Sequence, residues 1–236
     1  MVLLAIDTAT PVAGVALADE NKILYEITAN LGFNHSRTIL RMVESMLDMA
    51  GVRLGEVDVL AVTTGPGSFT GLRIGLATAK GLAMASVKPI IGIPTLDALA
   101  YNYSWASPLV CPILNARKGE VYTAFYRGGK EFAERVTDYM ALSPEDLAVK
   151  VRDIIKQEGA SHIVFTGDGL PIYGEFLEQE LGALARSAPD VLAYPSAASV
   201  ARLAVKRMES GQIDDIYDIT PVYVRLSEAE YKLGDL

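Results

Sequence analysis

Asp7, Thr8, Ala9 and Thr10 stand where an apolar stretch gives way to polar residues. An aspartate followed by turn-forming hydroxyls can handle a nucleotide: the carboxylate acts through a metal ion, while amides and hydroxyls of the turn face the phosphates. Ala9 works against this use, because a methyl group narrows the approach and disfavours positive φ. The plain alternative is a strand end whose threonines bond their own turn. Asp7, Thr8 and Thr10 are therefore candidate cofactor contacts, vestigial if Ala9 closes the site. A second candidate is the run from Gly65 to Arg73, Gly-Pro-Gly-Ser-Phe-Thr-Gly-Leu-Arg. Its glycines allow a tight turn, Ser68 or Thr70 can cap a following helix, and a helix start preceded by glycines can hold an anion. It lacks the Gly-Lys-Ser/Thr ending of a P-loop. Pro66 and Thr70 occupy the positions where a nucleophile elbow around Ser68 would need glycine.

The histidines add little chemistry. His35 is followed four residues later by Ile39, so the helical His-x-x-x-His pair that grips a metal is missing. His162 opens an apolar strand, and no carboxylate or thiol cluster replaces the missing ligands, so no protein-ligated metal is expected. Cys111 lies in the apolar run from Pro108 to Leu114 and reads as a small core residue rather than a nucleophile. A single cysteine forms no internal disulfide.

The elements that must position these residues follow from periodicity. Apolar runs at 2–8, 12–18, 22–28, 57–63 and 88–93 predict strands, and 36–50, 70–85 and 95–103 predict helices. A second series follows, with strands at 109–114 and 162–165 and a hairpin of 121–127 with 130–136 around Gly128 and Gly129. Its helices span 144–157, 172–181 and 197–209. The order of the first series recurs in the second, which predicts an α/β protein of two units with mixed sheets, residues 1–104 and 105–236, meeting near Ser104 to Ser107. At 236 residues and 50% hydrophobic, the chain can bury an ordinary core. Its net charge of -8 argues against a protein that grips nucleic acid over its own surface. No apolar run reaches the roughly 18 residues that span a bilayer, and Met1 to Ile6 carries no basic leader. The expectation is a cytoplasmic protein.

Two helices carry more apolar surface than packing on one sheet requires. In 36–50, Leu40, Val43, Leu47 and Ala50 form one stripe, and Ile39, Met42, Met46 and Met49 an adjacent one. Together they exceed the roughly 100° stripe of a surface helix. In 70–85, Gly71 and Gly75 with Thr78 and Leu82 leave a shallow face that another helix can approach. The alternative is that both helices fill the interior of a layered fold. The expected partner surface is His35, Ile39, Met42, Met46, Gly71, Gly75, Thr78 and Leu82.

With these stretches in view, the chain closely resembles the TsaB (YeaZ) family. The resemblance is carried by Ala5-Ile6-Asp7-Thr8-Ala9-Thr10, His35-Ser36, Gly65 to Gly75, Gly92-Ile93-Pro94-Thr95-Leu96, Ala116-Arg117-Lys118-Gly119-Glu120-Val121-Tyr122 and Gly167-Asp168-Gly169. Asn115 departs from it, since the family usually has Asp there. The resemblance implies two actin-like (ASKHA, RNase H-like) subdomains and a non-catalytic part in making N6-threonylcarbamoyladenosine beside the tRNA anticodon. It implies pairing with a catalytic TsaD-like relative, or with a second copy, through the first two helices. A TsaE-like ATPase joins the pair, tRNA is met only through the complex, and any ATP or ADP sits at the partner interface. The competing class is an ATP-dependent kinase or hydrolase using Asp7 and the Gly65 turn.

Overall fold

A computed structural model describes residues 1–30, 32, 34–103, 109–129 and 131–224. The expected boundary at Ser104 to Ser107 lies outside the described residues, as does most of the segment from Tyr223 to Leu236. In chain order the elements are β1 (Leu3–Asp7), β2 (Val12–Ala18), β3 (Ile23–Asn30), α1 (His35–Ala50), β4 (Val59–Gly65), α2 (Phe69–Ser86), β5 (Ile90–Pro94) and α3 (Thr95–Tyr101). They continue with β6 (Leu109–Arg117), β7 (Glu120–Thr123), β8 (Tyr126–Arg127), β9 (Glu134–Arg135), β10 (Met140–Leu142), α4 (Pro144–Glu158), β11 (Ile163–Thr166), α5 (Leu170–Leu181), β12 (Ala185–Ser187) and α6 (Ala197–Glu209).

Two compact units result, one of residues 1–102 with 194–221 and the other built on 103–193. This corrects the expected partition: residues 105–236 do not all form the second unit, because α6 returns to the first. In the first unit the sheet runs β3-β2-β1-β4-β5. Its first three strands are antiparallel, and β4 and β5 run parallel to β1. The second unit repeats the order as β10-β7-β6-β11-β12, with β8 and β9 beside β6. The predicted hairpin between 121–127 and 130–136 survives only as the short β8–β9 pair. Glu120–Thr123 is instead taken up between β6 and β10.

The faces of the first sheet explain which helix each receives. One face carries Leu4, Ile6, Val15, Leu17, Leu60 and Val62, and α1 and α2 pack on these large side chains. The opposite face carries Leu3, Val59, Ile91 and Ile93 but also four alanines, Ala5, Ala16, Ala18 and Ala61. The small residues Ala197, Ala201 and Ala204 bring α6 close against it. A sequence read from its N-terminus does not reveal that these alanine faces, at opposite ends of the chain, belong together.

Helix α1 corrects the reading of two apolar stripes. His35, Ile39, Met42, Val43, Met46 and Leu47 fall on one ordinary face and are buried within the unit. Met42 is 8% exposed and Met46 0%, so neither can be presented to another molecule. Spacing alone could not show that α1 packs against α2 as well as against the sheet. Leu40 and Met49 stay exposed, at 54% and 58%. Among the described residues, no helix is long and apolar enough to cross a membrane.

Candidate functional site

The turn after β1 is fixed by buried polar bonds. Parallel pairing of β1 with β4 sets Ile6 beside Val62 and brings Asp7 level with Thr63. The Thr63 hydroxyl donates to Asp7 Oδ1 at 2.7 Å, and the Ala9 amide donates to the same oxygen at 3.1 Å. Asp7 Oδ2 is buried and has no hydrogen-bond partner in the structure. Burial pushes the Asp7 carboxyl up to about 6, against the opposing pull of the Thr63 and backbone bonds. The sequence reading does not single out Thr63, although two hydroxyls ending the otherwise apolar run Val59 to Val62 are a readable signal of a buried polar partner.

The glycine loop closes directly on this turn. The Ser68 amide donates to the Ala9 carbonyl at 2.7 Å, and the Ser68 hydroxyl caps α2 by accepting from the Gly71 amide at 3.2 Å. The Thr8 hydroxyl donates to the Gly71 carbonyl at 2.8 Å. A Cβ built on Gly71 would overlap the Thr8 carbonyl oxygen, and one on Gly75 would overlap Thr8 Oγ1. The two glycines are therefore required by the Thr8 turn of their own unit and do not face a partner helix, which corrects the expectation for both. Thr78 and Leu82 are half-buried, with Leu82 packed against the large-residue core. His35, also assigned to the partner surface, is buried, and its Nε2 lies 2.8 Å from the Thr10 carbonyl oxygen.

These contacts decide how far Asp7, Thr8 and Thr10 fit a nucleotide. Thr8 and Thr10 are buried, and the Thr10 hydroxyl bonds the backbone of Val12. The Thr8 hydroxyl is engaged with the loop at Gly71, and the Thr10 hydroxyl with its own turn. Both hydroxyls thus have partners within the unit. What they form is a clamp between the end of β1 and the start of α2.

The corresponding turn of the second unit is built alike. Asp168 accepts the Asn115 amide at 2.8 Å, and the Asn115 side chain accepts the Arg117 amide at 2.9 Å. Burial raises the Asp168 carboxyl above its ordinary range. Cys111 is buried against Thr123, its thiol pushed up to about 12 by burial, which makes it inert at neutral pH. His162 Nδ1 lies 2.9 Å from the Ser161 hydroxyl. Among the described residues, no group of three or more His, Cys, Asp or Glu side chains is placed to hold a metal ion.

Residues 26–233 match the family model described as TsaD, tRNA N6-adenosine threonylcarbamoyltransferase. Curated relatives include the tRNA threonylcarbamoyladenosine biosynthesis protein TsaB of Bacillus subtilis, 30% identical over 98% of this chain and 97% of that one. TsaB of Escherichia coli is 32% identical over 99% and 98%. Among solved structures, YeaZ from Pseudomonas aeruginosa superposes with a TM-score of 0.79 at 29% identity, covering 94% of this chain and 99% of that one. A ROK hexokinase from Thermus thermophilus, at 12% identity and a TM-score of 0.50 over 87% and 100%, shares the actin-like fold alone. The family model over most of the chain and identities of 30% and 32% across nearly its whole length show the family: the chain belongs to the TsaB (YeaZ) proteins of tRNA threonylcarbamoyladenosine biosynthesis.

Proposed function

We propose that this chain is a non-catalytic scaffold subunit in the N6-threonylcarbamoyladenosine modification of tRNA next to the anticodon. It acts by pairing with a TsaD-like catalytic subunit and recruiting a TsaE-like ATPase, and it pairs with a second copy when alone. The observation that carries this reading is the closed clamp. Thr8 and Thr10 spend their hydroxyls inside the unit, and Ser68 and Gly71 occupy the space in front of the turn. A turn used in this way holds a helix in place and leaves phosphate chemistry to a partner. The chain requires no cofactor of its own, and any ATP or ADP of the assembly is gripped by the partner's residues at the joint. Contact with tRNA likewise runs through the complex, in keeping with a net charge of -8.

The partner surface consists of the outward residues of the first two helices. Ala77, Gly81 and Met84 are exposed on α2 at the spacing of one helix face, while Leu40 and Met49 are exposed on opposite flanks of α1. A Cβ on Gly81 meets nothing within 4 Å, so this position tolerates a side chain in the protomer while a partner helix would not. The test is reconstitution with a TsaD-like subunit, a TsaE-like ATPase, tRNA and the small-molecule substrates, read by mass spectrometry of the nucleosides and by light scattering of the complex. The modified nucleoside should form only when this chain and the TsaD-like subunit are both present. Formation at full rate without this chain overturns the scaffold role. The competing kinase or hydrolase reading predicts micromolar Mg-ATP binding to the isolated chain that Asp7→Ala abolishes.

A further inference from the structure

Strand β5 is the edge of the first sheet, yet its outward polar groups are not left to water. After α6 the chain turns at Ser210 and Gly211 and runs back along β5. The Asp214 amide donates to the Ile90 carbonyl at 3.1 Å. Two residues further along β5, side chains take over from backbone. The Gly92 amide donates to Asp214 Oδ2 at 2.7 Å, and Arg207 Nη1 donates to the Gly92 carbonyl. Arg207, in the last turn of α6, also grips Asp214 through two bonds, at 3.0 and 3.2 Å. The pair thus offers Gly92 one acceptor and one donor, as a neighbouring strand would.

The chain then turns at Asp215, whose carbonyl accepts the Asp218 and Ile219 amides, and Ile219 enters the core. A Cβ on Gly92 would lie 2.9 Å from Ile219 Cδ1 and 2.6 Å from Thr64 Cγ2, so Ile219 lies over the glycine that Arg207 and Asp214 bracket. Within 210–221 the deep anchor is Ile219, with Ile216 partly buried beside it, while Ile213 and Tyr217 are exposed. Such a segment is fastened at few points compared with the strands beneath it. Segments with sparse burial and part-exposed polar closure open ahead of the global transition.

We propose that residues 210–221 form a strap that opens and closes over β5 as one unit, with the Arg207–Asp214 pair as its lock and Ile219 as its plug. The lock is 30% exposed at both side chains, so ionic strength reaches it. Opening frees the Ile90 carbonyl and both polar groups of Gly92, turning a covered strand into an open sheet edge while β1, β2 and β4 stay paired.

Native-state hydrogen exchange on the full chain, resolved by residue, tests this. Asp214→Asn keeps an acceptor for the Gly92 amide but removes the charge, and Asp214→Ala removes both. The Gly92 amide and those of 212–219 should exchange roughly tenfold faster in Asp214→Ala, with Asp214→Asn intermediate and the amides of β1 and β2 unchanged. Ile219→Ala should accelerate the same set, since lock and plug belong to one opening. In the unaltered protein, raising sodium chloride should speed exchange at Gly92 and leave β1 unaffected, a readout that needs no variant to fold. The proposal is overturned if Gly92 exchanges only together with β1 and β2, or if its exchange responds to neither the substitutions nor salt.

Discussion

Replacing Asp7 by asparagine removes a charge that the fold holds at a loss. The Asp7 carboxyl is at about 6 in the folded protein against an ordinary value of 3.8, and the cause is burial. An acid with a raised folded value is bound more tightly to its proton in the folded than in the unfolded state. Stability from this group is therefore fully present below 3.8, falls as pH rises, and is lost above about 6. That difference corresponds to about 3 kcal/mol at neutral pH. The amide of Asp7→Asn would keep the oxygen that accepts from Thr63 and the Ala9 amide, and would stay neutral throughout. The stability of Asp7→Asn relative to the parent should thus grow by about 3 kcal/mol between about pH 3.5 and about pH 7.5. For a chain of this size that is roughly 6–12 °C in Tm. Paired urea unfolding curves across the pH range measure it, and carbon NMR of the Asp7 carboxyl reads the titration directly. Parallel profiles for the two proteins, or a carboxyl titrating close to its ordinary value, would refute the claim that Asp7 is held dry.

Other expectations concern the clamp and the helices it orients. Gly75→Ala places a methyl against Thr8 Oγ1 and should cost about 1–3 kcal/mol in chemical unfolding, with wild-type stability refuting the close approach. Gly81→Arg should keep or raise the unfolding midpoint, since the site is open and exposed within α2 and glycine is a poor helix former, and should abolish co-elution with the TsaD-like subunit in size-exclusion chromatography. Calorimetry of the isolated chain with Mg-ATP should detect no micromolar binding. Cys111 should react with a thiol reagent only at the rate of unfolding, because its thiol is buried and pushed up to about 12.

The strand series and the two-unit α/β order are legible because buried parallel strands read as continuous apolar runs and the turns between them carry glycine. The Asp7 turn and Gly65 loop are legible as a pair of strand ends, and their joining is not. It depends on β1 lying beside β4, where the Asp7–Thr63 bond links residues 56 apart in the chain. The same blindness produces the error over Gly71 and Gly75. Two glycines four apart on a helix mark a close approach, but the sequence does not say to what, and here the neighbour is the Thr8 turn rather than a second molecule. Helix α1 misleads for a related reason: apolar width counts the residues able to be buried, whereas burial depends on how many elements surround the helix.

A surface that positions a partner must itself be fixed, and α2 is fixed at its first turn by bonds from Ala9, Thr8 and Ser68. Ala9 takes part in this because its carbonyl accepts the Ser68 amide at 2.7 Å. Glycine at position 9 would keep that carbonyl but restore backbone freedom to the turn. Ala9→Gly should therefore weaken the hold of the turn on the start of α2. The variant should show faster amide exchange at Ser68 and Gly71 and weaker binding of the TsaD-like subunit, with α2 itself still helical. Unchanged exchange at Ser68 would separate the clamp from the binding surface and leave the exposed face of α2 to act without it.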